Sequence, residues 1–184
     1  MPRDYATSPR TKLRRSDRAV TDDVWIKALL QRAPIGILAT VHDGQPFLNS
    51  NIFIYDENKH AIYLHTARVG HTRANIEIND RVCFTIYEMG RLLPAKTALE
   101  FSVEYASVVV FGTATRLSET KEATDALHHL LRKYAPHLQA GQDYRPVMPE
   151  ELVRTSVYRI CIEEWSGKKK EVPADFPGAY TYGG

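Results

Sequence analysis

The sequence lacks the features that mark membrane, secreted and metal-binding proteins. It has no long apolar run that could span a bilayer, so no membrane partner is expected. Its first residues contain no apolar core of the kind found in a signal peptide, and a cytoplasmic location follows by default. The only two cysteines, Cys83 and Cys161, lie in apolar strand-like runs. We therefore predict buried free thiols rather than a disulfide or a metal pair.

The sequence also has little excess of positive over negative charge. The 184 residues carry a formal net charge of +2, which gives no electrostatic reason to expect nucleic acid as a partner. The charge is uneven, because residues 1–18 contain six arginines and lysines against two aspartates, a net +4. We expect residues 1–20 to be a flexible basic leader, although such an arm could also touch an anionic ligand or a partner subunit.

Several well-known catalytic motifs are missing as well. No glycine-rich motif for dinucleotide binding follows a predicted strand, and the sequence has no phosphate-binding loop of the kind found in nucleoside triphosphatases. The sequence has no HExxH motif, no paired CxxC motifs and no GxSxG elbow, so neither a zinc site nor a serine hydrolase is predicted. No metal ligands are predicted.

What is present is a regular series of β-rich segments. With 43% hydrophobic and 25% charged residues, the composition is that of an ordinary globular domain. Strands are predicted at residues 35–41, 46–55, 61–65, 81–87, 102–117 and 155–162. Helices are predicted after caps at Thr21 and Ser118, at residues 70–79, and as one turn at 149–152. Strands at hairpin spacing with a few helices predict an α+β protein built around an antiparallel barrel, with an irregular tail at 169–184.

The join between a strand and a helix near residue 70 is the most informative segment. The stretch LHTARVGHTRANIEINDRVCF, residues 64–84, ends an apolar strand in a polar turn and then begins a helix. Arg68, His71, Thr72 and Arg73 cluster at this point. A helix start offers free N–H groups and the positive end of the helix dipole. Together with cations and hydroxyls it predicts an anion site, most naturally for a phosphate.

A second polar feature interrupts an apolar strand. Asn49, Ser50 and Asn51 stand between Phe47-Leu48 and Ile52-Phe53-Ile54. Polar groups buried in a sheet need partners, and the pyrimidine edge of an isoalloxazine ring offers both donors and acceptors. The pattern alone equally allows a strand edge or bulge that faces solvent.

Three segments together carry a resemblance to a known family. Residues 64–84, LEFSVEYASVVVFGTA at 99–114 and RTSVYRICIEEWSGK at 154–168 resemble the FMN-binding split barrels, the superfamily of pyridoxamine 5'-phosphate oxidase. The last two segments resemble its 5-nitroimidazole-resistance branch, the nitroimidazole reductase-like proteins. The resemblance implies an antiparallel split β-barrel at residues 21–168. It also implies an FMN cofactor and a homodimer with the flavin at the subunit interface.

The resemblance also implies roles for individual residues. The polar strand at 49–51 would run along the flavin ring, His65 and Thr66 would touch its phosphate or ribityl chain, and Trp165 would approach the ring across the dimer interface. The implied cofactor-binding residues are Asn49, Ser50, Asn51, His65, Thr66, Arg68, His71, Thr72, Ser107, Trp165 and Lys168. Lys168 could instead belong to a solvated lysine run. His71, which suits proton delivery near neutral pH, is the implied catalytic residue.

One departure from the family pattern bears on activity. His71 and Thr72 stand where the oxidases carry an Arg-Lys pair on the phosphate, which argues against oxidase activity and leaves Arg68 or Arg73 to compensate. The leading hypothesis is an FMN-dependent reductase that passes electrons to a small acceptor, for which the resemblance implies a nitroaromatic compound. The alternatives are a non-catalytic flavin or haem carrier or sensor, with His65 or His71 as an axial ligand, and a pyridoxamine 5'-phosphate oxidase. FAD and a deazaflavin remain alternative cofactors.

Overall fold

The computed structural model describes residues 7–183, which form an eight-stranded antiparallel sheet with four α-helices. The strands are β1 (Ala19–Val20), β2 (Gly36–His42), β3 (Gln45–Asn51), β4 (Phe53–Asp56), β5 (Ala61–Ala67), β6 (Arg81–Leu93), β7 (Ser102–Arg116) and β8 (Thr155–Lys170). The helices are α1 (Asp23–Arg32), α2 (His71–Ile78), α3 (Thr120–Tyr134) and α4 (Pro149–Leu152). The predicted α+β antiparallel barrel is confirmed.

The order of the strands explains how the sheet closes into a barrel. It runs β3-β2-β6-β7-β8-β5-β4, and the short β1 pairs with β8. The two end strands, β3 and β4, are separated in the chain by the single residue Ile52. The chain thus passes from one end of the strand order to the other within one residue. This covalent join brings the sheet's ends together.

The prediction of one strand over residues 46–55 was therefore wrong. At Ile52 the chain changes its pairing partner from β2 to β5. Both halves are β-rich, so local sequence gives no sign of the change. Two side chains of α3 form hydrogen bonds with the backbone of Phe53 at this break. The Tyr134 hydroxyl accepts a hydrogen bond from the Phe53 N–H at 3.0 Å, and the Lys133 ammonium donates one to the Phe53 carbonyl at 3.1 Å.

The barrel interior is filled by alternate residues of the strands and by one face of α1. Fully buried members of this core include Leu38, Phe53, Phe84, Val108, Val110, Ile160, Leu29 and Leu30. The cap of α1 differs from the prediction. The Asp22 carboxylate, rather than Thr21, accepts a hydrogen bond from the Val24 N–H at 2.9 Å. Likewise α3 is preceded by Glu119 rather than Ser118, and no side chain caps it.

Two strands are longer than predicted. β6 continues to Leu93 and β8 continues to Lys170, because β6 pairs with β7 from Ser102 to Thr113 and β8 pairs with it from Tyr105 to Arg116. A bulge in β8 accommodates the pairing: Phe111 faces Glu164 and Gly112 faces Ile162. A Cβ atom on Gly112 would lie 2.0 Å from the Cys161 carbonyl oxygen, so only glycine fits there.

The two thiols are free, but their burial differs from the prediction. Cys83 is half-buried, whereas Cys161 is exposed. Alternate residues of a strand face opposite sides, and the strand pattern at 155–162 did not reveal which side was covered. Burial was therefore wrongly predicted for Cys161.

The basic leader contacts the sheet over its described part. The Arg10 guanidinium pairs with Glu164 and lies 5.0 Å from the centre of the Phe111 ring. Arg18 donates a hydrogen bond to the Tyr105 hydroxyl at 3.2 Å. Residues 1–6, which include part of this leader, lie outside the described residues. Among residues 7–183, no helix combines the length and apolar character needed to cross a membrane.

Candidate functional site

The site begins where β5 ends and α2 starts. Gly70 precedes α2 with φ +151°, a backbone conformation that favours glycine, and no side chain caps the helix. The first N–H groups of an uncapped helix have no partner within the helix. The α2 N-terminus therefore presents free donors and the positive end of the helix dipole.

Two arginines flank this helix start. Arg68 donates to the Val153 carbonyl at 3.2 Å and has no carboxylate partner among the described residues. Arg73 pairs with Glu77 at 2.7 Å and donates to the Arg68 carbonyl at 2.9 Å. Arg68 therefore supplies the uncompensated positive charge beside the α2 N-terminus, whereas Glu77 offsets that of Arg73.

His71 and Thr72 point in different directions. The exposed ring of His71 has its centre 5.3 Å from that of Phe47 on β3. Thr72 is only 5% exposed, and its hydroxyl accepts a hydrogen bond from the Asn49 amide at 3.1 Å. Only His71 of this pair is thus open to a ligand in the single chain, while Thr72 ties α2 to β3.

The polar run of β3 divides between the two faces of its strand. Asn49 and Asn51 lie on the side of α2, and the Asn51 amide donates to the Asn49 carbonyl at 2.9 Å. Ser50 faces the other way and is exposed, as is its neighbour Leu48, at 64%. Within one chain, Ser50 therefore cannot contact a ligand that lies on the same side of β3 as Asn49 and Asn51.

His65 and Thr66 end β5 near α2. The Nδ1 atom of His65 is buried and has no hydrogen-bond partner among the described residues. Burial also lowers the pKa of His65. A buried polar atom without a partner is rare in native structures and fits a ligand that would supply one. The Thr66 hydroxyl donates to the Ala67 carbonyl at 3.0 Å, a contact within its own strand end.

Three further candidates lie elsewhere in the chain. Ser107 on β7 is paired with Lys168 on β8, and the Lys168 ammonium lies 5.3 Å from the centre of the Tyr105 ring. Trp165 donates from its indole to Asp23 at 3.0 Å and packs 4.6 Å from the His60 ring. Within residues 7–183, no hydrogen bond or ring contact connects these three with the residues around α2.

Two cavities adjoin the start of α2. The first, of about 500 Å³, is lined by Arg68, Val69, Gly70, His71, Arg73, Ala74 and Glu77. The second, of about 270 Å³, shares Arg68 and Arg73 and adds Arg116, Thr155 and Ser156 among its lining residues. Sequence reasoning missed these last three. They end β7 and begin β8, and only the pairing of these strands near β5 brings them to the site.

Comparison with solved structures identifies proteins of the same architecture. The flavocytochrome Anf3 from Azotobacter vinelandii is 25% identical, with a TM-score of 0.79 over 90% of this chain and 76% of that chain. The FAD and haem binding protein from Mycobacterium smegmatis is 20% identical, with a TM-score of 0.74 over 84% and 74%. A candidate 5-nitroimidazole antibiotic resistance protein from Bacteroides thetaiotaomicron is 19% identical, with a TM-score of 0.68 over 83% and 90%. The last two likenesses show a shared fold.

Comparison of sequences gives a matching result at the level of the family. A search of curated proteins found no match. The sequence profile of the pyridoxamine 5'-phosphate oxidase family matches residues 22–169, which include strands β2 to β7 and all of β8 except its last residue. On this match, and on the fold it shares with flavin-binding proteins, the chain belongs to the pyridoxamine 5'-phosphate oxidase family.

Proposed function

We propose that this protein binds a flavin nucleotide, FMN in its simplest form, and passes electrons from the reduced flavin to a small acceptor. The observation that carries the proposal is the cavity at the start of α2. It combines an uncapped helix N-terminus with Arg68, which pairs with no carboxylate of residues 7–183. This is a donor set suited to a phosphate dianion.

The surrounding residues fit the rest of a flavin. The Nδ1 of His65 is buried and has no hydrogen-bond partner within residues 7–183, which supports a ligand contact at the end of β5, but His65 lines neither cavity at the start of α2. Asn51 and Asn49 present amide groups on the same side of β3 as α2, which suits the polar edge of the isoalloxazine. Hydroxyl, amide and imidazole groups here can hold and orient the nucleotide through hydrogen bonds.

The chemistry would be divided between cofactor and chain. A bound flavin supplies the electron transfer, and the protein supplies binding, orientation and electrostatics. His71 lies exposed at the cavity, so its imidazole can donate a proton to a reduced product. The resemblance to the nitroimidazole reductase-like branch suggests a nitroaromatic test acceptor.

We also propose that the protein is a homodimer with the flavin between two copies. One face of the sheet, opposite the filled interior, carries exposed apolar side chains: Leu48 at 64%, Tyr87 at 66% and Met89 at 53%. Ser50, Ser107 and Lys168 share this face, which we call the outer sheet face. A second copy there would cover the apolar residues. It would also allow Ser107 and Lys168 to serve the other copy's site, whereas Trp165, which pairs with the buried Val110, lies on the opposite face of the sheet and would not reach that site through this interface.

The first test is the visible absorption spectrum of the purified protein before and after addition of FMN. We expect flavin bands that shift on binding, and we expect Arg68→Ala to weaken FMN binding at least tenfold through loss of a charge-assisted contact. Arg132→Ala is the matched control, because Arg132 is an exposed arginine of α3 outside these cavities. A protein that binds no flavin under these conditions contradicts the proposal.

Turnover and assembly need separate measurements. Photoreduced holoprotein should reduce a nitroaromatic, and His71→Ala should slow this step while FMN stays bound. Unchanged rates in His71→Ala would remove His71 from the proposed catalytic role. Sedimentation should give twice the chain mass of 20.9 kDa, and Tyr87→Asp should shift it towards the monomer. A wild-type monomer that binds flavin tightly would contradict the interface.

A second candidate function is that of a combined flavin and haem protein. The similarity to a flavocytochrome, 25% identical over 90% of this chain, favours this function. Two histidines could serve as an axial haem ligand: His65, whose Nδ1 has no hydrogen-bond partner among residues 7–183, and His71, whose ring is exposed. Adding haem to the flavin-loaded protein should produce a sharp Soret band if this is correct. His71→Ala and His65→Ala would distinguish the two possible ligands.

A further inference from the structure

The basic leader joins the main sheet through β1, beside the end of β8. Ala19 pairs with Lys168, and Val20 pairs with Gly167. A Cβ atom on Gly167 would lie 3.0 Å from the Cβ atom of Val20, so glycine at this position lets β1 pack closely. The 3-10 turn at Ser16–Arg18 directly precedes β1. This pairing therefore brings the cations of the leader next to the three consecutive lysines that end β8.

A cavity lies between the leader and the end of β8, and we call it the leader cavity. Its volume is about 450 Å³. Small-molecule sites usually measure roughly 300–1,000 Å³, so this cavity has the size of a binding site. Its lining carries a net positive charge, because it contains four cations and only two carboxylates. The charged lining residues are Arg15, Arg18, Lys169, Lys170, Asp17 and Glu171.

Each carboxylate of the leader cavity is paired closely with one of the cations. Asp17 accepts two hydrogen bonds from the Arg15 guanidinium, at 2.8 Å and 2.6 Å. Glu171 accepts one from the Lys169 ammonium at 3.3 Å. These two ion pairs account for all the negative charge of the lining. The other two cations therefore supply its positive excess.

Hydroxyl groups hold these two cations in place. Arg18 donates to the Tyr105 hydroxyl at 3.2 Å, and its Nε atom lies 3.9 Å from the Asp17 carboxylate, at the limit of an ion pair. Lys170 donates to the Ser102 hydroxyl and has no carboxylate partner among residues 7–183. A neutral partner fixes a side chain without cancelling its charge. Both cations are thus partly ordered before an anion binds, which reduces the entropy cost of binding.

The phenol of Tyr105 is affected by the positive charge near this cavity. Burial raises the pKa of Tyr105, but the cations Arg18 and Lys168 bring that pKa below its ordinary value of 10.0. The Lys168 ammonium lies 5.3 Å from the centre of the Tyr105 ring. The end of β8 therefore favours negative charge in its surroundings.

We propose that the leader cavity is a binding site for a small oxyanion with two or more negative charges, of the phosphate or polycarboxylate class. Arg18 and Lys170 would hold the anion: a guanidinium can bind two oxygens side by side, and an ammonium binds one as a point charge. No residue at the start of α2 lines this cavity, so the site is separate from the proposed flavin phosphate site. It does not depend on the proposed flavin function.

The test is a calorimetric titration of the full chain with pyrophosphate at constant ionic strength, set with sodium chloride. The Arg68→Ala protein is used, so that the cavity at α2 has lost its unpaired cation. We expect one anion to bind per chain. Adding Arg18→Gln or Lys170→Gln should each weaken binding about tenfold to a hundredfold, as expected for the loss of one charge-assisted contact. A parallel titration with citrate distinguishes a phosphate from a polycarboxylate ligand, according to which anion binds more tightly.

Arg14→Gln is the matched control. Arg14 is an exposed arginine of the same leader that does not line the cavity, so its loss should change the affinity less than about twofold. Lys170→Gln leaves the contact of Arg18 with Tyr105 intact, and circular dichroism would check the fold of each variant. Absence of binding by both anions, or wild-type affinity in both Arg18→Gln and Lys170→Gln, would overturn the inference. An equal loss in Arg14→Gln would also overturn it, because it would show only a general attraction to the basic leader.

Discussion

The break between β3 and β4 gives a sharp test of what holds the barrel closed. The hydroxyl of Tyr134 in α3 accepts a hydrogen bond from the backbone N–H of Phe53 at 3.0 Å. The same hydroxyl lies within donating distance of two carbonyl oxygens, that of Pro34 at 2.8 Å and that of Phe53 at 3.0 Å. Phe53 is fully buried. We predict that Tyr134→Phe destabilises the protein although it removes a single oxygen atom.

The magnitude follows from the groups that lose their partner. A hydroxyl has one proton, so it can donate to only one of the two carbonyls at a time while it accepts from the Phe53 N–H. Removing it leaves the N–H of the buried Phe53 without a partner, whereas Pro34 is exposed and its carbonyl can bond to water. An unsatisfied buried group costs about 1–3 kcal/mol, and Lys133 still donates to the Phe53 carbonyl. We therefore expect a loss of about 2 kcal/mol in the free energy of unfolding.

The measurement is urea denaturation of wild type and variant, supported by thermal melting. For a protein of this size, about 2 kcal/mol corresponds to a fall in Tm of about 4–8 °C. Tyr182→Phe is the matched control, because Tyr182 is 76% exposed and its free energy of unfolding should not change. A loss below about 0.5 kcal/mol in Tyr134→Phe, with an unchanged m-value, would refute the role given to this hydroxyl.

Two further predictions concern a strand contact and a titration. Gly112→Ala should lower the free energy of unfolding by about 2–4 kcal/mol, because the new Cβ would lie 2.0 Å from the Cys161 carbonyl oxygen. The control is Thr115→Ala, a substitution at an exposed position of the same strand. Equal urea midpoints for the two variants would contradict the prediction. Burial lowers the pKa of His65 below its usual 6.5, so the unfolded chain takes up this proton first and the free energy of unfolding falls as the pH drops below 6.5. Thermal melts of the apoprotein between about pH 7.5 and about pH 5 should show a smaller loss of stability in His65→Gln than in wild type, and parallel losses would exclude His65 as the cause.

Local sequence was a good guide wherever short-range chemistry decides structure. An Asp-Gly pair is a strong local signal for a two-residue hairpin turn, and Asp43-Gly44 forms the turn between β2 and β3 with positive φ at both residues. The polar turn before α2 predicted the helix start with an error of one residue. Prediction failed for residues 46–55, where one β-rich run serves two neighbours on opposite ends of the sheet.

The candidate site shows the same limit. Arg68, His71 and Thr72 could be named from their spacing, because a helix start is a local feature. The direction of each side chain could not be read from the sequence, since Thr72 turns inward to Asn49 while His71 stays exposed. Ser50 was grouped with Asn49 and Asn51, although strand alternation places it on the outer sheet face.

The sequence by itself determined the class of fold, the position of the α2 helix start and the membership of the pyridoxamine 5'-phosphate oxidase family. These depend on strand periodicity, helix-start chemistry and short motifs, all of which act over a few residues. Only the tertiary structure decided that the barrel closes at Ile52 and that Arg116, Thr155 and Ser156 join the site. Those arrangements arise from pairing between strands far apart in the chain, and no local pattern encodes which distant strands become neighbours.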